Sequence, residues 1–232
     1  MKMLLLLVFL PVIPLMAGEA APSGEQSVKP GINAAYLDPD LKVDDWLKRF
    51  EVESREVFHS RREVLKACKI KPGMKVADIG AGTGLYTRLF SQAVGVRGWV
   101  FAVDINARFL QHIQARAAQE KQSNITTVLC PQDSVSLPPG SIDLAFICDA
   151  YHHFEYPKST LASLLKALKP GGRVVVIDFK RIEGKSAPWI LGHVRAGEDV
   201  VRKEIEDAGF RFDTELAIPG LKENYAMQFV KP

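Results

Sequence analysis

Val76-Ala77-Asp78-Ile79 is a short apolar run that opens into Gly80-Ala81-Gly82-Thr83-Gly84, three glycines at alternate positions, and then into a helical pattern. No other stretch limits the fold so strongly. The run reads as a strand buried on both faces, and Leu85, Tyr86, Leu89, Phe90 and Ala93 recur at helical spacing after the glycines. Glycine accepts positive φ and lets the main chain come close to a ligand. The first N–H groups of the helix point at the same spot and favour a polar or anionic group there. A tight strand-to-helix turn in any α/β protein has the same look, so the flanking sequence must decide between the two.

Gly98 to Val103 forms a second strand ending at Asp104, 24 residues beyond Gly80. At that separation an acid reaches the ribose hydroxyls of a nucleoside lying over the glycine loop. It is equally placed to cap the helix that carries Phe109, Leu110, Ile113 and Ala117. Ile125 to Cys130 is a third strand, running into Pro131-Gln132-Asp133, and Ile142 to Cys148 is a fourth. Pro157 opens a helix with Leu161, Leu164, Leu165 and Leu168 in register, Lys169-Pro170-Gly171-Gly172 closes it, and Arg173 to Phe179 is strand five. Strands alternating with helices give a parallel sheet covered on both faces.

The tail departs from that alternation. After a helix over Glu198 to Ala208, strands Phe210 to Leu216 and Tyr225 to Val230 are joined by a link too short for a parallel crossover, and it contains Pro219-Gly220. That requires an antiparallel hairpin. The expected fold is therefore α/β, a doubly wound seven-stranded sheet, mostly parallel with an antiparallel C-terminal strand. Two helices, Leu41 to Phe50 and Arg55 to Cys68, precede it.

The 232 residues, 47% of them hydrophobic, suit one such domain over 39–232, with 39–70 as a helical lid and 21–38 as a flexible leader. A net charge of +3 arises from 30 basic and 27 acidic residues that are dispersed, which argues against a nucleic-acid footprint. Cys68, Cys130 and Cys148 lack ligand or disulfide-framework spacing, so neither a metal nor a disulfide scaffold is expected. Asn124-Ile125-Thr126 matches a glycosylation acceptor but abuts a strand. Lys2, the apolar run Leu4 to Ala17 and the small residues up to Ala21 have the layout of a secretory signal over residues 1–20. Pro11 and Pro14 make it a poor membrane span. On that reading the protein is periplasmic or secreted; with translation starting at Met16 it is cytoplasmic.

Residues 55 to 231 resemble the class I S-adenosylmethionine-dependent methyltransferases, whose fold is Rossmann-like. The resemblance rests on Asp78-Ile79-Gly80-Ala81-Gly82-Thr83-Gly84, Asp104, Leu168-Lys169-Pro170-Gly171-Gly172-Arg173 and the terminal hairpin. Asp149-Ala150-Tyr151-His152-His153-Phe154 and the position of Asp133 look most like the ubiquinone/menaquinone-biosynthesis type, which act on small molecules. The family implies S-adenosylmethionine as cofactor, with Gly80, Gly82 and Gly84 cradling its methionine part. It further implies that Asp78 orients the ammonium, Asp104 binds the ribose and Asp133 holds the adenine amino group, with Ala81, Ile105 and Asp149 flanking them. The expected reaction is methyl transfer to a small-molecule acceptor at oxygen or carbon. Two alternatives stand beside it: a non-catalytic exported binding module with the same fold, and a nicotinamide-dependent oxidoreductase, whose glycines are spaced GxGxxG.

Acceptor chemistry belongs at the carboxyl ends of the strands, where Asp149 to Phe154 falls. His152 or His153 is the expected group to deprotonate or orient an acceptor, since imidazole titrates near neutrality; one of the two packing beneath a helix is the competing reading. Tyr151, Arg55, His193 and Arg195 are further substrate candidates, the last two on the long connection after strand five.

Overall fold

The computed structural model describes residues 24–232. The signal-peptide expectation for residues 1–20 lies outside them. Helices α1 (Val43–Phe50), α2 (Glu56–His59) and α3 (Arg61–Ala67) precede β1 (Lys75–Ile79), α4 (Leu85–Val94), β2 (Trp99–Asp104), α5 (Ala107–Gln119), β3 (Ile125–Leu129) and β4 (Ile142–Cys148). A single 3-10 turn, Tyr151–His153, leads to α6 (Pro157–Ala167) and β5 (Leu168–Phe179). Then come α7 (Pro188–His193), α8 (Glu198–Asp207), β6 (Arg211–Glu215) and β7 (Asn224–Val230). The helix expected from Arg55 to Cys68 is two, because Ser60 leaves helical geometry at φ −87°, ψ 19°.

Seven strands form one sheet in the order β3-β2-β1-β4-β5-β7-β6. All pairings are parallel except those of β7, which runs antiparallel to both β5 and β6. The hairpin and the reversed strand are as the sequence requires.

Both faces of the central strands are buried, which is why β1 and β4 read as continuous apolar runs rather than alternating ones. Val76 packs with Tyr86, Phe90 and Val94 of α4 and Val64 of α3 on one face. Its neighbour Ala77 packs with Leu161 and Leu164 of α6 and Val201 and Ile205 of α8 on the other. The strand order changes direction between β1 and β4, and in open α/β sheets the crevice beyond that point is where ligands bind.

The chain ahead of the sheet is fastened over this crevice. Glu56 Oε2 accepts hydrogen bonds from the main-chain N–H groups of Lys222, Glu223 and Asn224 at 2.8, 2.9 and 3.2 Å. One carboxylate thus ties α2 to the loop before β7. Residues 28–37 run as successive turns, and Asn33, 3% exposed, donates through Nδ2 to Gln132 Oε1 and to the His153 carbonyl.

Candidate active site

A cavity of about 470 Å³ opens at the carboxyl ends of β1 and β4, within the size range of small-molecule sites. Its first wall is the glycine loop. Gly80 and Gly82 have φ of +70° and +52°, and a Cβ on Gly80 would lie 2.6 Å from the Cβ of Ala150, so the loop after β1 and the loop after β4 approach each other as closely as glycine permits. Gly84 has φ +79° but does not line the cavity: a Cβ there would meet Ile113 Cγ1 at 2.6 Å. Its expected part in the cradle gives way to a packing role, the seating of α5 against the loop.

Asp104 Oδ2 accepts from the Gly82 N–H at 2.8 Å and Oδ1 from the Asn106 N–H at 2.9 Å. The acid therefore holds the glycine loop in shape while it lines the cavity. It is not the cap of α5; Asn106 is, accepting from the Arg108 N–H. Asp78 lines the same wall, and its Oδ2 accepts from the Thr87 hydroxyl at 2.6 Å. Asp149 sits at φ +48°, a conformation that aspartate tolerates better than most residues, paired with Arg55 and accepting from Asn224 Nδ2 at 2.7 Å. Burial pushes the Asp78 carboxyl up to about 7 and those of Asp104 and Asp149 up to about 6, with Arg55 restraining Asp149.

The opposite wall carries histidine and aromatic side chains. His152, His153, His193, Phe179 and Trp189 line it, and Tyr36 and Phe50 join it from the segment ahead of the sheet. The His152 ring Nδ1 lies 2.7 Å from Asp178 Oδ1, and Asp178 Oδ2 accepts from the His152 main-chain N–H at 2.9 Å. Burial alone would raise the Asp178 carboxyl, but the His152 charge and hydrogen bond, with the N–H groups of Phe179 and His152, hold it below the usual carboxylate range. Burial and the two neighbouring imidazoles push His153 down to about 3; burial, His152 and Lys29 lower His193.

Most of the residues singled out in the sequence meet at this cavity: Arg55, Asp78, Gly80, Ala81, Gly82, Asp104, Ile105, Asp149, His152, His153 and His193 all line it. Tyr151 and Arg195 do not. Tyr151 is fully buried and donates to Glu204 Oε2 at 2.8 Å, while Arg195 grips both oxygens of the same carboxylate at 2.9 and 2.8 Å and lies over the Tyr151 ring. Their charge and hydroxyl are consumed in holding α8, which corrects the expectation that they face substrate. Gln132 and Ser134 line the cavity on either side of Asp133, which does not itself line it. Asn124 is 8% exposed, and its Nδ2 donates to the carbonyls of Ser91 and Gly95, so its amide is not presented for glycosylation. Asn33, Tyr36 and Asp178 escaped the sequence reading. Asp178 ends an apolar strand, and an acid there is the one signal that pointed to it.

The acidic wall tests the expected cofactor. Three buried carboxylates face one cavity with a single arginine paired to one of them, an arrangement suited to a ligand with cationic groups, as a sulfonium with an ammonium is. Apolar Ala81, Ile105, Phe109 and Val135 in the same lining suit a flat purine.

A model of the methyltransferase domain matches residues 76–172, from β1 into the first residues of β5. A ubiquinone/menaquinone biosynthesis C-methyltransferase of Bordetella parapertussis is 29% identical over 180 residues, covering 73% of this chain and 69% of the relative. The chain carries a methyltransferase domain of the S-adenosylmethionine-dependent type over residues 76–172. A namesake from Burkholderia vietnamiensis is 33% identical over 113 residues, 49% of this chain and 46% of the relative. Among solved structures, a SAM dependent methyltransferase from Aquifex aeolicus has a TM-score of 0.72 at 24% identity, over 83% of this chain and all of that one. The methyltransferase is thus an enzyme that uses S-adenosylmethionine, and the matches give no support to the binding-module or nicotinamide alternatives. Among the described residues no helix is long and apolar enough to cross a membrane.

Proposed function

We propose that this methyltransferase acts on a small aromatic or enolisable acceptor held at the histidine end of the cavity. One observation carries the reading: a single cavity has a wall of glycines and carboxylates and a wall of histidines and aromatics. The bound cofactor supplies an electrophilic methyl group on a sulfonium. Asp78, Gly80, Ala81, Gly82, Asp104 and Ile105 are assigned to holding it, and Asp149, steadied by Arg55, to the junction with the acceptor. Asp133 is assigned no more than the polar edge beside Gln132.

Phe179, Trp189, Tyr36 and Phe50 flank the acceptor and exclude water, so that alignment of the lone pair with the methyl group supplies much of the rate. Of the two adjacent histidines, His152 is favoured to orient or deprotonate the acceptor. Asp178 fixes its Nδ1–H and leaves Nε2 as the free acceptor atom. The relatives, named for C-methylation in quinone biosynthesis, support a hydroxylated ring as acceptor.

Transfer of labelled methyl from S-adenosylmethionine to a panel of phenols and quinols tests the reading. Product with at least one of them, and about a 100-fold loss of turnover in His152→Ala with cofactor affinity retained, is the expected result. Unaltered turnover in that variant would sink the assignment of His152. Cofactor binding with no transfer to any acceptor would favour the binding module. Residues 1–20 are proposed as an export signal cut near Ala20, which N-terminal sequencing of the native protein decides.

A further inference from the structure

His152, His153 and His193 come from the 3-10 turn after β4 and from the end of α7, and each offers a ring nitrogen within 4.8 Å of the other two. We propose that they form a three-histidine site for a divalent transition ion of the zinc class, open on its fourth side to the acceptor end of the cavity.

Four observations support it. His153 Nε2 and His193 Nε2 are 3.4 Å apart, and metal–nitrogen bonds of about 2.0–2.1 Å in tetrahedral array put ligand atoms about 3.3–3.4 Å apart. The three ring centroids are 4.3, 5.1 and 5.0 Å from one another, and among the described residues the one carboxylate bonded to any of these rings, Asp178, holds His152 alone. His152 donates its other nitrogen to Asp178, the orientation by which a carboxylate fixes a metal-binding imidazole. His153 Nδ1 is buried without a partner, so no hydrogen bond on that side of the ring competes with a role for Nε2. His193 is 40 residues from His153, which hides the set from any search for short ligand spacings. Imidazole triads with one open position suit zinc, iron, cobalt or nickel, and the protein's side chains leave that position facing the cavity.

The ion would bind an acceptor oxygen and favour its anionic form. Ligation then replaces direct proton transfer as the way His152 acts on the acceptor. That consequence rests on the methyl-transfer reading, whereas the site itself does not.

Titration of the full chain, stripped of metal by a chelator, with Co²⁺ tests the site without cofactor or acceptor, so its failure leaves methyl transfer standing. One equivalent of Co²⁺ should bind per chain, give the visible bands of a four- or five-coordinate ion, and be displaced by Zn²⁺. His193→Ala, at the half-exposed end of α7, and His153→Ala should each weaken binding at least about tenfold. His59→Ala, remote from the cluster and exposed, should leave it unchanged. No visible band at submillimolar Co²⁺, or affinity unaltered in His153→Ala and His193→Ala, overturns the proposal.

Discussion

Asp178 binds His152 twice, through the ring Nδ1 at 2.7 Å and the main-chain N–H at 2.9 Å, so the last acid of β5 fixes both the position and the tautomer of a histidine that follows β4. Asp178→Asn keeps the shape and removes the charge. Turnover should fall about 10- to 100-fold, as happens when the carboxylate behind a functional imidazole is lost. S-adenosylmethionine affinity should stay within twofold, since Asp178 does not line the cavity. Equal loss of turnover and cofactor affinity would mean that the pair is structural.

The acidic wall makes cofactor binding and proton release inseparable. With Asp78 near 7 and Asp104 near 6, the ligand-free protein holds extra protons between about pH 4 and 7. A cationic ligand favours the ionised carboxylates, so binding should release protons and tighten as pH rises through this window, levelling off above pH 7. Calorimetry at pH 6.5 in buffers of different ionisation enthalpy reads the release directly, and Asp78→Asn should diminish it.

The same shifts set the stability of the ligand-free protein. Their folded-state values lie above the unfolded ones, so these three groups contribute stability that is lost as pH rises from about 4 to 7, while His153, held down to about 3, contributes the opposite trend below about pH 6.5. The Tm difference between the native chain and Asp78→Asn isolates one carboxyl: it should shift against the native chain as pH rises from 4 to 7, and saturating S-adenosylmethionine should reduce that shift.

Arg55 is the cation paired with Asp149, with side-chain exposures of 25% and 8%. Arg55→Ala leaves that carboxylate buried with the Asn224 amide as its remaining hydrogen-bond partner, at a cost of about 3 kcal/mol at pH 7.5. Near pH 5 the carboxyl can protonate and the loss should shrink. Urea denaturation at the two pH values checks the cost and its decrease.

Gly84→Ala separates packing from ligand binding in the glycine loop. The added methyl group meets Ile113 Cγ1 at 2.6 Å and sits at φ +79°, which should cost about 2–3 kcal/mol. Ile113→Ala in the same chain should recover part of it, giving a coupling of about 1 kcal/mol in a double-mutant cycle.

The sheet was legible because its signals are local: an apolar run, a glycine turn and a helical stripe repeat along the chain, and an eight-residue link can only be a hairpin. The cofactor wall was legible for the same reason, since Asp78 to Gly82 is contiguous and Asp104 ends the next strand. The acceptor wall was legible only in part. His152, His153 and His193 stood out singly, but Asn33, Tyr36 and the Asp178 behind His152 did not, and no periodicity joins residues that meet only because β4, β5 and the turns over residues 28–37 share one end of the sheet. Tyr151 and Arg195 misled because a buried Tyr–Glu–Arg network uses the same residue types as a binding site. Exposure and partners distinguish them, and neither is written in the spacing.

Equilibrium binding of S-adenosylmethionine to the full chain bears most directly on the seat between the glycine loop and the histidine wall. The expected result is one site per chain at micromolar affinity, weakened at least tenfold by Asp104→Ala, whose carboxylate holds the Gly82 N–H. No binding at millimolar cofactor would contradict the account.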